Sequence, residues 1–254
     1  MSKAYPRVLI DNFKKENMFH DHPSFKAPND KNTKIWKYMD ITKFLSLVVN
    51  ETLYFTRTDK LGDPFEGSYT RQAHIARNDG GRKYLTWYEN LRSKMLINCW
   101  HINEYESEAM WKLYSKSNEG IAIQSTYDRL VHSLERDRNY HTQVGLVNYL
   151  DYNMETFETG NACNPFLTKL KSYDCERELR AITDLSTWNP GTNSHKETVE
   201  HGKHLPIYLD LLIEKVYVAP YSEDWIFELV QEMSRKLNVN FKIIRSDLSS
   251  QPLY

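Results

Sequence analysis

The segment Glu176-Arg177-Glu178-Leu179-Arg180 sets two carboxylates and a guanidinium at alternate positions. On a strand, residues two apart share a face and lie roughly 7 Å from one another. Glu176, Glu178 and Arg180 would then form one stripe. A fixed carboxylate beside a sugar carbon stabilises the positive charge that develops as a glycosidic bond breaks. The bland reading of the same stripe is a solvated strand face with cross-strand ion pairs.

Other groups could serve the same pocket. Asp63-Pro64-Phe65-Glu66 puts two carboxylates on a turn, where Asp63 can bond backbone amides and Phe65 can plug the core. Trp100-His101 ends an apolar run, and a free imidazole titrates near ~6.5, within reach of acid and base work. Glu108 follows, and Met110, Trp111 and Tyr114 recur at helical spacing, more often a mark of core packing than of an aromatic clamp. His195, Glu197, Glu200, His201 and His204 have spacings that would suit a metal on a helix. Their segment lacks an apolar face and lies between Pro190 and Pro206, so a solvated loop without metal is expected. No phosphate-binding glycine loop, zinc-protease motif or nucleophile elbow occurs.

The elements that must carry these residues follow from periodicity. Ile35–Met39 and Thr52–Thr56 read as strands, with a helix between them that starts after Asp40 and sets Ile41, Phe44, Leu45 and Val48 on one face. Tyr84–Met95 reads as a helix and Leu96–Trp100 as a buried strand. Ser107 and Thr126 can cap helices on either side of a strand at Gly120–Ile123. Further strands are expected at Val144–Leu150, Glu176–Thr183, Leu205–Leu209, Val216–Val218 and Phe241–Ile244. Helices are expected at Phe166–Tyr173 and after Ser222. Without a regular strand-helix beat, the pattern predicts an α+β fold with a central, mainly antiparallel mixed sheet and flanking helices. Residues 1–33 read as a polar arm, and 34–254 as a single α+β domain.

The 254 residues are 40 % hydrophobic and 13 % aromatic, enough for a sizeable core. With 33 basic and 34 acidic residues the net charge is -1, so totals show no preference for a polyanion. Apolar runs are far shorter than the ~20 residues that cross a bilayer, and no signal-peptide core is seen. Cys99, Cys163 and Cys175 lack metal or redox spacing, which fits free thiols in a reducing cytoplasm. The oligomeric state is left open.

Read in order, several segments resemble the microbial family called domain of unknown function 2971. They are Trp36-Lys37-Tyr38, Leu53-Tyr54-Phe55, Asp63-Pro64-Phe65-Glu66-Gly67, Cys99-Trp100-His101 and Glu108-Ala109-Met110-Trp111 with Tyr114. Glu119-Gly120-Ile121-Ala122-Ile123, Tyr149, Lys169 or Lys171, Glu176-Arg177-Glu178-Leu179-Arg180 and Val216-Tyr217-Val218-Ala219-Pro220 complete the set. The family's frequent bacterial and phage-related contexts suggest a defence or toxin-like role.

A more distant analogy joins the glutamate pair to ADP-ribosyltransferases, which use NAD. It implies catalytic roles for Glu178 and Glu176, with His101 as a further acid-base candidate. Lys37, Tyr38, Ser125 and Thr126 would lie near the cofactor, although such enzymes carry Arg or His where Lys37 stands. Asp63, Glu66, Trp100, Glu108, Trp111, Tyr114 and Arg180 would line the substrate pocket. The expected reaction transfers ADP-ribose from NAD to a protein or nucleic acid, with no metal and no membrane. Two alternatives are a metal-dependent nuclease or phosphoesterase built on Asp63, Glu66, Glu108 and Glu176, and a binding module without catalysis.

Overall fold

The computed structural model describes residues 23–76, 91–115, 118–157, 162–185 and 199–250. It begins with β1 (Lys34–Asp40), α1 (Ile41–Asn50), β2 (Thr52–Arg57) and α2 (Arg71–Ala76). Then come β3 (Met95–Ile102), α3 (Glu108–Tyr114), β4 (Gly120–Thr126) and α4 (Tyr127–Leu134). β5 (Thr142–Leu146), β6 (Asn148–Leu150), β7 (Thr168–Leu170) and β8 (Glu178–Asp184) follow. The chain then forms β9 (Gly202–Pro206), α5 (Leu209–Leu212), β10 (Lys215–Val218), α6 (Asp224–Lys236) and β11 (Lys242–Arg245). Most pairings are antiparallel, with β10–β11 and β6–β7 parallel, so the fold is α+β as expected.

The sheet runs β11-β10-β4-β1-β3-β2-β9, with β8 on β3 and β5 on β8. β8 pairs with β3 all along Met95–His101 and so takes up one edge of it. β1 and β2 must share the other edge. β1 meets β3 only at Ile102 and His101, and β2 meets it only at Ile97 and Leu96. Between these contacts the two strands part, and the described pairings leave residues 98–100 without a strand neighbour on that edge. The sheet is split there, and α1, which joins β1 to β2, spans the opening.

Alternation sorts the strand residues between the two faces. Ile35, Leu53, Phe55, Leu96, Ile121, Ile123, Leu179 and Val216 pack under Phe44, Leu47 and Val48 of α1, Leu130 of α4 and Ile226 and Val230 of α6. On the other face, Trp36, Tyr38 and Ala122 meet Met110 and Trp111 of α3. Met95, Ile97 and Ile182 meet Phe166 and Leu167. On this second face β8 carries the buried charges Glu178 and Arg180.

Several local readings need correction. Glu176 does not lie on β8: it closes a 3-10 helix, Lys171–Glu176, and Arg177 then turns with φ 42 into the strand. The expected helix at 166–173 is two 3-10 turns on either side of β7, because Pro165 starts the first and the β6 pairing claims 168–170. His204 is on β9 instead of in a loop, paired with Tyr54. The α6 N-cap is Glu223, and the Ser222 hydroxyl is used by the carbonyl of Asn118. Phe65 is exposed and meets the Tyr152 ring edge-on instead of filling the core. The expected helix at 84–95 falls largely outside the described residues, as do His195 and Glu197. Of the expected arm, the described part crosses the fold: the Leu146 amide donates to the Lys26 carbonyl at 2.9 Å, and Phe25 abuts Gly145.

Candidate active site in the split of the sheet

A cleft of about 830 Å³ occupies the split. Because the strands part, residues from both faces of the sheet reach it: Tyr38, Cys99 and His101 from one, and Lys37, Asn98 and Trp100 from the other. α1 contributes Thr42, Lys43 and Ser46, and β2 and β9 contribute Tyr54 and His204. The turn after β2 adds Asp63 and Glu66, while Tyr114, Lys169, Tyr173, Glu176 and Glu178 complete the far wall.

Side chains fasten the unpaired part of β3. Lys37 donates its ammonium to the Cys99 carbonyl at 2.9 Å and lies 5.5 Å over the Trp100 ring. Asn98 donates its amide to the Tyr54 carbonyl at 2.8 Å. Both bonds use backbone carbonyls beside the split. Burial, aided by the Lys43 charge, pulls the Lys37 ammonium down to about 8, despite the raising effects of Cys99 and Glu178. The Cys99 thiol is pushed up to about 12, mainly by burial, and is therefore a poor nucleophile. Among the described residues, Asn98 Oδ1, Trp100 Nε1, His101 Nε2 and Asp63 Oδ2 have no hydrogen-bond partner. All four belong to residues that line the cleft. Buried polar atoms seldom go without a partner, so they are hydrogen-bonding capacity that a ligand can use.

The far wall is a chain of ion pairs. Arg180 is fully buried and grips Glu66 with two bonds of 2.6 and 2.8 Å. It also donates to Glu178 at 2.6 Å and to the Phe166 carbonyl at 2.9 Å. Lys169 donates to the other oxygen of Glu178 and to Glu176, each at 2.9 Å. Tyr114 donates its hydroxyl to Glu176 at 3.1 Å. The Tyr149 hydroxyl accepts the Glu178 amide at 2.8 Å.

Environment drives the two glutamates apart. Burial resists ionisation of Glu178, but Arg180, the Glu176 hydrogen bond and Lys169 outweigh it and hold the carboxyl well below the usual range. For Glu176, burial and the hydrogen bond to Glu178 raise the value, against the pull of Lys169. Glu178 is thus the fixed anion, and Glu176 holds a proton more readily. His101 bonds the Glu176 carbonyl through Nδ1 at 2.6 Å, and burial lowers its value, so it is neutral at pH 7.

Of the residues singled out in the sequence, Lys37, Tyr38, Asp63, Glu66, Trp100, His101, Tyr114, Glu176 and Glu178 come together at the cleft. Arg180 stands directly behind them. Four others do not line it. The Ser125 hydroxyl is spent on the Leu212 carbonyl, and Thr126 caps α4. Glu108 is an exposed partner of Lys112. Trp111 packs edge-on against Tyr38 and donates to Glu106. Asn98, the place of His204 at the cleft and the clamp on Lys169 were missed. A polar Asn98 inside the apolar run Leu96–Trp100 was the available signal for the first. The other two depend on pairings across the sheet.

No family model and no curated protein matches the chain, so membership of the 2971 family stays an expectation from the sequence alone. Among solved structures, the chain is similar to DarT from Thermus sp. 2.9. The structure in complex with NAD+ has 10 % identity, covers 88 % of this chain and 100 % of that chain, and gives a TM-score of 0.41. The one in complex with ADP-ribosylated ssDNA has 10 % identity, covers 87 % and 97 %, and gives 0.40. A likeness this distant decides neither reaction nor ligand, which rest on the geometry of the cleft.

Proposed function

We propose that the split cleft binds NAD and transfers its ADP-ribose, with Glu178 and Glu176 dividing the chemistry. The observation that supports this is the unequal setting of two adjacent carboxylates in one cleft: Glu178 is bonded by both Lys169 and Arg180, Glu176 by Lys169 and the Tyr114 hydroxyl. Where environment pushes paired titratable groups apart, their acid-base roles separate. Glu178 is an anion pinned by two cations, so it is preorganised to stabilise positive charge on the ribose as nicotinamide departs. Glu176 can take a proton from the acceptor. Lys37, a further cation lining the cleft, suits the diphosphate, and the unpaired atoms of Asn98 and Trp100 suit polar edges of the ligand. A volume of about 830 Å³ lies within the usual range of ligand sites.

The metal-dependent reading requires Asp63, Glu66, Glu108 and Glu176 to converge; the first two and Glu176 line the cleft, but Glu108 does not. Arg180 saturates Glu66, while Glu108 points to the surface with Lys112. Among the described residues no group of three or more His, Cys, Asp or Glu is placed to hold a metal. A binding module would leave the opposed glutamates without a task. The acceptor is a protein or a nucleic acid; exposed Tyr54, Phe65 and Tyr114 give aromatic surface to either. A role in bacterial or phage defence is the context that the family resemblance suggests. Three free cysteines fit a cytoplasmic setting, and no described helix is long and apolar enough to cross a membrane.

The test is nicotinamide release and label transfer from NAD in the presence of cell lysate with its nucleic acid retained. Glu178→Gln should lose roughly two to three decades of rate, the worth of one preorganised electrostatic contact. Because Glu178 also neutralises Lys169 and Arg180, the substitution costs stability as well, so rates are compared well below each melting temperature. Glu176→Gln should impair transfer more than hydrolysis. A wild-type chain that neither binds nor consumes NAD overturns the proposal.

A further inference from the structure

Lys169 sits on β7, a strand of three residues in parallel register with β6, where it pairs with Tyr149. The 3-10 helix that follows turns the chain back, so that Glu176 faces Lys169 seven positions later. The ammonium lies 2.9 Å from Glu176, 2.9 Å from Glu178 and 3.8 Å from Glu66. The Tyr173 ring lies beneath it at 4.7 Å. Arg180, the other buried cation, bonds Glu66 and Glu178 on the side away from Glu176. The wall therefore holds three carboxylates and two cations, and one proton makes it neutral.

We propose that Lys169 is the positioning residue of this site: its ammonium clamps the two glutamates together, keeping Glu178 as the fixed anion and Glu176 as the proton carrier. This rests on the reading of the cleft as a glycosidic-bond-breaking site. The chemistry of the side chain suits the task. An ammonium has three donors that can diverge toward separate acceptors, whereas a guanidinium offers a planar fork that favours one carboxylate. Arg180 uses that fork on Glu66. Other groups facing the clamp are the Tyr114 hydroxyl from α3, His101 and Cys99 from β3, the Tyr149 hydroxyl from β6, and Lys37 from β1. Of these, His101 is neutral at pH 7, and the Tyr114 and Tyr149 hydroxyls and the Cys99 thiol are held protonated, chiefly by burial. Lys37 is the remaining charge among them, and its ammonium is bonded to the Cys99 carbonyl.

Two readouts separate positioning from mere stability. The first is a carbon-13 titration of the glutamate carboxyls in the full chain, which needs no substrate. The second is the pH profile of ADP-ribose transfer. In Lys169→Met the upper titration of the glutamate pair should rise by about one unit or more, because a neighbouring opposite charge is removed. The ascending limb of the transfer profile should move up with it, so that transfer at a fixed pH below the limb drops roughly tenfold. Lys169→Arg, which keeps the charge, should return both most of the way. An unchanged titration and limb in Lys169→Met, with only a lower melting temperature, would show a structural ion pair and overturn the proposal. Should Lys169→Met fail to fold, Lys169→Gln keeps a hydrogen-bond donor without the charge and answers the same question. The upper titration of its glutamate pair should rise likewise, and an unchanged titration there overturns the clamp. If wild type does not consume NAD, the functional reading fails while the carboxyl titration still judges the clamp.

Discussion

A lysine whose ammonium sits near 8 is charged at neutral pH only by a modest margin. Burial sets that value for Lys37, and a bound diphosphate would raise it again. Linkage then gives the sign: affinity for an anionic ligand is full below about 8 and declines as pH rises, by up to tenfold per unit. Calorimetry of NAD binding across that range should show the decline. Lys37→Arg should abolish it, since a guanidinium stays charged. A flat profile in wild type would remove Lys37 from the phosphate contact. The types of Lys37, Glu176 and Glu178 were legible in the sequence, yet their protonation was not. Protonation depends on neighbours such as Lys43 and Lys169, which other elements supply.

At the scale of elements, the turn at Arg177 decides how the glutamates meet. Alternation along one straight strand would have set them roughly 7 Å apart on one stripe. Instead Arg177 adopts φ 42 and ψ 56, and its carbonyl accepts the Ile102 amide at 2.9 Å. That turn ends the 3-10 helix and starts β8, letting both carboxylates reach one ammonium. A left-handed conformation costs a side-chain-bearing residue about 1–2 kcal/mol, and β-branching makes it worse. Arg177→Gly should therefore be tolerated, within ~0.5 kcal/mol of wild type, as relief of strain offsets the extra freedom of the unfolded chain. Arg177→Ile should lose about 1–2 kcal/mol. Denaturant unfolding of the two variants checks the order, and equal stabilities would contradict the role of the turn. The sequence pattern could not reveal this break, because Glu-Arg-Glu alternates like any strand and a non-glycine residue gives no warning of positive φ.

Across the whole molecule, Arg180 ties three regions: β8, the turn holding Glu66, and the segment at Phe166. Removing one partner from a buried ion network leaves charges uncompensated, so Arg180→Met should cost about 3–5 kcal/mol. The pH dependence has a definite sign. Glu178 titrates lower in the folded chain than its ordinary 4.5, so its ion pairs stabilise fully above that value and fade as pH falls. The deficit of Arg180→Met against wild type should hence narrow in acid, as urea unfolding at neutral and acidic pH can measure. A deficit independent of pH would assign the loss to packing instead. Most strands, the helix caps at Ser107 and Thr126, the α+β class and the suspicion attached to Glu176 and Glu178 all came from sequence, because periodicity and capping act over a few neighbouring residues. The split of the sheet, the pairing of Glu66 with Arg180 across 114 positions and the reach of Lys37 to Cys99 across 62 were decided only by the tertiary fold. Those features depend on which edge of β3 each distant strand occupies, and a register between remote segments leaves no local pattern to read.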